Sequence, residues 1–174
     1  MDVVEKRTQE VNEGAKPHIY IKLGFNEEEC NKTVSSLNTL LANYHIHYQK
    51  LRNYHWNVTG ADFFDIHEKF EEQYNDVKVA IDDIAERIRV FGEKPMSTLK
   101  EYLEHSEIKE TTNELSADEM VKEILNDYEI LLTYMFKVVR ACLESGDFAT
   151  EEMVKSFIKK IEKNHWMFTS FASE

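Results

Sequence analysis

Glycine and proline are scarce in this chain, 5 and 2 among 174 residues. An all-β domain with a turn roughly every 8–12 residues cannot be punctuated with so few of them. Two cysteines, Cys30 and Cys142, form neither a CxxC pair nor any metal-type spacing. Neither a disulfide framework nor a thiolate metal site is therefore expected. Positive charge is also short: 21 Lys and Arg stand against 33 Asp and Glu, a net charge of −12. A surface that grips nucleic acid or anionic lipid needs the opposite balance. Long hydrophobic runs are missing too. The most apolar stretch, Ile130 to Phe136, falls far short of the ~20 residues of a membrane helix, and the charge-free stretch Thr33 to Gln49 is broken by Ser, Asn and His. Met1 to Glu10 is mixed in charge and lacks the apolar region of a secretion signal. What remains is an acidic, mostly helical, cytoplasmic domain, and 42% hydrophobic residues suffice for its core.

The few breakers divide the chain. Residues 1–25 hold Gly14, Pro17 and Gly24 with little periodicity, which predicts a flexible or loosely docked tail ahead of one domain over 26–174. Asn26 followed by three glutamates has the form of a helix cap. A first long helix is expected from there to about Val58, with Val34, Leu37, Leu41, Tyr44, Tyr48 and Leu51 as its apolar stripe and His55 at the next step. A second runs from about Asp62 to Gly92, with a stripe from Phe63 to Phe91. A third covers about Asp118–Glu144, and a fourth about Thr150–Phe171, carrying Met153, Phe157, Ile158, Ile161 and Trp166. The connection from Gly92 to Ser116 is long for a compact helical domain. A helix of ~30 residues is about 45 Å long, and returning along it takes at least ~13 extended residues. Two short turns and one long crossover, with a small helix at Ser97–His105, describe an all-α, ferritin-like four-helix bundle.

The second helix carries a polar pattern beside its core stripe. His67, Glu71, Asp82 and Glu86 fall at about 0°, 40°, 60° and 100° around its axis and share one face. Such a face is either a solvated acidic surface or a set of metal donors, since imidazole with carboxylate suits iron, zinc or manganese. The four positions are symmetric about the point between Asp76 and Val77. A two-fold axis there would set His67 opposite Glu86 of the partner subunit, and Glu71 opposite Asp82 of the partner subunit. Within one chain Glu71 and Asp82 stand about 16 Å apart along the helix and cannot share a metal; across an isologous dimer interface they can. His55, taken alone, fits a packed core residue as well as a ligand, and His45 and His47 are expected to be structural. Trp56 reads as an interface or core aromatic. A metal site inside the bundle would need two Glu-x-x-His motifs, and only Glu162–His165 has that spacing. His165 is therefore expected to face solvent or pack near Trp166.

The segment His55-Trp56-Asn57-Val58-x-Gly60, with Phe63, His67-Glu68, Phe70-Glu71, Asp82 and Ala85-Glu86-Arg87, closely resembles the signature of the Dps family, the mini-ferritins. The likeness covers roughly residues 30–170. It implies a hollow dodecamer with ferroxidase sites at its two-fold interfaces, each taking His55, His67 and Glu71 from one subunit and Asp82 and Glu86 from the other. In the family, iron(II) is oxidised there, by hydrogen peroxide in preference to oxygen, and iron(III) mineral collects inside; zinc is a possible competitor. Trp56 matches the family tryptophan beside the site. Glu71 departs from the pattern, which usually has Asp, and reaches one methylene further. Asp147, Glu151 and Glu152 open the fourth helix, either as first-turn acids favoured by the helix dipole or, as the resemblance implies, as the carboxylates of an iron-uptake pore. DNA binding is not expected. Lys6, Arg7 and Lys16 are outweighed by Asp2, Glu5, Glu10 and Glu13, and Ala172-Ser173-Glu174 adds no basic extension. A DNA-coating or architectural cage with a vestigial metal site is the alternative function.

Overall fold

Asn26, Thr98 and Ser116 open their helices in the same way. Each side chain accepts from the backbone N–H three residues on, and the Glu at that position accepts from the cap's own N–H. In the computed structural model, which describes residues 18–112 and 114–172, these caps and their counterparts delimit six helices. They are α1 (Ile19–Lys22), α2 (Glu27–Asn57), α3 (Phe63–Val90), α4 (Leu99–His105), α5 (Ala117–Ser145) and α6 (Phe148–Phe171). The four long helices and the small crossover helix lie where the periodicity placed them, and no strand occurs among the described residues. Short turns make α2–α3 and α5–α6 into helical hairpins, and α2 packs against α5. The segment between α3 and α5 runs back along the bundle and carries α4 against α2.

That crossover is held by two asparagines of α2. Asn38 Oδ1 accepts from the Met96 N–H at 2.8 Å, and Asn43 Oδ1 accepts from the N–H groups of Glu107 and Ile108 at 3.0 and 3.1 Å. A long connection that ran without such partners would leave backbone groups unpaired. Residues 18–25, expected as part of a loosely docked tail, are packed onto the bundle. Tyr20 is buried, and the ring of Phe25 meets Phe91 edge-on at 5.4 Å. Gly92 has φ +88°, a backbone conformation that favours glycine, and a Cβ there would press on the Ile19 side chain at 3.2 Å. Residues 1–17 lie outside the described residues, and so do Asn113, Ser173 and Glu174.

The core follows the expected stripes on α2 and α3 and is closed by α5: Leu37, Leu41, Phe70, Ile84, Ile88, Ile124, Leu131 and Val138 are fully enclosed. On α6 the buried line is Val154, Ile161, Asn164 and Phe168, while Trp166 is 65% exposed. Of the apolar residues that the sequence placed on this helix, Trp166 thus stays outside the core; Phe168, two residues later and about 200° around the helix, enters it by stacking on Phe70. Polar groups also enter the bundle. Gln73 Oε1 accepts from Tyr128 and from Asn164 at 3.0 and 2.8 Å. Asp127, fully buried, pairs with Lys50 at 2.8 Å and faces His47 Nδ1 at 3.0 Å. His47 thus has the structural role expected of it, as does His45, stacked 3.8 Å from the Tyr102 ring. Cys30 and Cys142 are free and enclosed, and burial pushes their thiols up to about 11 and about 12. No helix among the described residues is long and apolar enough to cross a membrane.

Candidate metal centre

The turn between α2 and α3 creates the site. Gly60, at φ +111°, reverses the chain within a few residues. That brings His55, in the last turn of α2, against His67, in the second turn of α3, with ring centroids 3.8 Å apart. The two histidines fix each other. His55 Nδ1–H donates to the His67 carbonyl at 2.8 Å, and His67 Nδ1–H donates to the His55 carbonyl at 2.7 Å. The His55 carbonyl belongs to the end of a helix, where no intrahelical partner exists, so the bond also satisfies an orphan acceptor. Because a carbonyl can only accept, both Nδ1 atoms carry hydrogen, and in the neutral rings both Nε2 lone pairs remain free. This is the arrangement by which histidine ligands are oriented for a metal.

Glu71, one turn beyond His67, completes a cluster whose ligand atoms all lie within 4.8 Å of one another. Among the described residues it is the one group of three such side chains able to hold a single ion. His55 is buried, His67 half-buried and Glu71 exposed, so the cluster opens at the protein surface. Phe63 stacks on the His67 ring at 5.0 Å, and Tyr74 meets His55 edge-on at 5.3 Å. The Tyr74 hydroxyl donates to Glu71 Oε1 at 3.2 Å. Burial, reinforced by this carboxylate, raises the Tyr74 pKa above its ordinary value, so the hydroxyl keeps its proton. Sequence reasoning overlooked Tyr74. Its signal was an aromatic hydroxyl three residues from Glu71, on the same helical face.

The other expected site residues are placed elsewhere. Asp82 and Glu86 are exposed, farther along α3, and do not join the three-residue cluster within one chain. Trp56 is 57% exposed, with the Arg52 guanidinium 4.6 Å over its ring, which excludes the core reading. Asp147 is buried: it caps α6 through the Thr150 N–H at 3.0 Å and pairs with Arg87 at 2.7 Å. Glu151 is largely buried and ion-paired with Lys155, and Glu152 is exposed. His165 lies half-buried, 3.8 Å from Glu129, rather than in a metal site of the bundle core.

The sequence pattern of the ferritin-like domain matches residues 34–174. A DNA protection during starvation protein from Brevibacillus brevis is 43% identical over 136 residues, covering 78% of this chain and 91% of that protein. The chain belongs to the Dps family of ferritin-like proteins. General stress protein 20U of Bacillus subtilis is 38% identical over 79% of this chain and 95% of its own length. In three dimensions this Dps is similar to the Dps protein of Vibrio cholerae, itself described as a member of a broad superfamily of ferritin-like diiron-carboxylate proteins. That likeness has a TM-score of 0.85 at 32% identity and covers 90% of this chain and 99% of the other. The fold expected from the connectivity and the family expected from the helix-turn-helix signature are thus both established.

Proposed function

We propose that this Dps oxidises iron(II) at sites shared between two subunits and stores the iron(III) inside a closed cage, a dodecamer in the cytoplasm. What carries this reading is the pair of uncommitted Nε2 atoms beside an exposed carboxylate, where the described residues of one chain supply three ligands. Asp82 and Glu86 of a partner subunit, related by the two-fold symmetry of the α3 pattern, would complete the set. Phe64 and Val79, 80% and 60% exposed, fall about 60° and 120° from His67 around α3. Their exposure next to the ligand face supports a partner's covering it.

Each residue then has a definable task. His55 and His67 bind iron through Nε2, held in one tautomer by the reciprocal carbonyl bonds. The carboxylates supply negative charge, which favours iron(III) over iron(II) and so makes the electron easier to remove. Two iron(II) ions give one electron each; hydrogen peroxide accepts both and, with two protons, leaves as two waters. Removing both reagents together prevents hydroxyl radical formation. The same nitrogen and oxygen donors suit zinc, which would compete. Glu151 and Glu152, with Asp147 setting the helix start behind them, are the carboxylates proposed to draw iron inward. With a net charge of −12, DNA is not proposed as a partner, and duplex DNA at physiological salt should migrate unretarded.

Sizing followed by anaerobic iron(II) titration tests the proposal. A cage many times 20.5 kDa that consumes one peroxide for every two iron(II) ions, without hydroxyl radical trapped by a spin probe, is expected. A stable monomer, or iron oxidation no faster than in buffer, would refute it.

A further inference from the structure

We infer that Tyr74 is the positioning residue that allows a glutamate to serve where the family pattern has the shorter aspartate; this rests on the site reading above. Glu71 has one more side-chain torsion than aspartate and is exposed, so by itself it would sweep a wide arc outside the two Nε2 atoms. Tyr74 removes that freedom. Its hydroxyl donates to Glu71 Oε1 at 3.2 Å from the next turn of the same helix, leaving the second carboxylate oxygen uncommitted. The phenol is itself fixed from two sides. His55 meets its ring at 5.3 Å and 80°, and Tyr48 meets it at 6.1 Å and 87°. Neighbours packed against two sides of the ring hold its long axis, and with it the hydroxyl at its end, in one place. Tyr48 is in turn covered by the Arg52 guanidinium at 5.4 Å. The hydroxyl thus sits at the end of a packed row of α2 side chains and clamps the longer carboxylate beside the histidines. An aspartate at 71 would stop short of the hydroxyl, so the clamp acts on glutamate alone.

This predicts coupling between positions 71 and 74, which can be read without oxidation chemistry. Cobalt(II) alone is titrated into the assembled protein, and its visible absorption gives both affinity and ligand environment. Four forms are compared after their mass and helicity are verified: wild type, Tyr74→Phe, Glu71→Asp and the double variant. Tyr74→Phe keeps the ring and its contacts and removes only the hydroxyl. It is expected to weaken cobalt binding about ten-fold, the lower end of what losing an outer hydrogen bond costs a metal site. In the Glu71→Asp background the same change is expected to alter affinity less than about two-fold, because no clamp remains to lose. An unchanged affinity in Tyr74→Phe overturns the inference, and so does an equal loss in both backgrounds, which would mean that Tyr74 acts through His55 or general packing. His67→Ala is the control for the site itself. If it leaves cobalt binding intact, the site reading fails and the inference with it; if it abolishes binding while Tyr74→Phe has no effect, the inference alone fails.

Discussion

Complementation between two inactive variants tests the shared site directly. One variant carries His67→Ala with Glu71→Ala, and the other Asp82→Ala with Glu86→Ala. All four residues lie on α3, but Glu71 and Asp82 are eleven positions apart in sequence, which at 1.5 Å per residue is about 16 Å. Ligand atoms about 2 Å from a metal cannot bridge that gap, so a single α3 cannot supply one site with both pairs. Each homo-assembly would have every site stripped of half its donors on this face, and its iron oxidation should fall at least about ten-fold. Mixing changes the count of intact sites. In a mixed dimer one site combines both lesions, while the other takes His67 and Glu71 from the second variant and Asp82 and Glu86 from the first. Random pairing of an equal mixture makes half the dimers mixed, so about a quarter of all sites are restored. The assay is the initial rate of iron(II) oxidation after joint dissociation and reassembly, with mixed cages verified by mass. Rates that stay at the parental level in verified mixed cages would refute the shared site.

Three further outcomes follow from side chains outside the cluster. Asp127→Ala leaves the Lys50 ammonium, 5% exposed, without its 2.8 Å partner and should destabilise the bundle by about 3–5 kcal/mol; a loss below about 1 kcal/mol by thermal or denaturant unfolding would show that Glu123, 3.4 Å from Lys50, compensates. Burial lowers the His45 pKa to about 4 from an ordinary 6.5, so the unfolded chain binds a proton that the folded one does not, and stability present above pH 6.5 is lost as the pH falls towards 4; His45→Gln should flatten the decline of the melting temperature over that window, and an unchanged slope would show that burial of His45 does not govern it. At the opening of α6, Glu151→Gln with Glu152→Gln should slow iron oxidation at limiting iron(II) with the fold intact, whereas Asp147→Asn should lower thermal stability because it breaks the buried pair with Arg87. Equal initial rates in the Glu151 and Glu152 variant would return those residues to the role of first-turn acids favoured by the helix dipole.

The sequence by itself determined the helices, their order and the face that carries the candidate ligands. Helix periodicity and caps are local: Asn26 with Glu29 and Ser116 with Glu119 lie three residues apart, and a stripe such as Leu37, Leu41, Tyr44 is set by 3.6 residues per turn. The chemistry of the site was legible for the same reason, since His67 and Glu71 are one turn apart and the His55 segment carries a long signature. Contacts between distant parts of the chain were decided by the tertiary structure. Asp127 meets Lys50 and His47 across 77 and 80 positions, and no local pattern announces such a pair. The phase of α6 was likewise open, because Trp166 and Phe168 are both apolar enough for the core and only packing against Phe70 chose between them. The tautomer of the two histidines depends on carbonyls placed by the turn at Gly60, and the hold on Glu71 depends on a tyrosine wedged between His55 and Tyr48. Sequence periodicity names which residues share a face; the free lone pairs and the direction of each hydrogen bond exist only once separate helices are brought into contact.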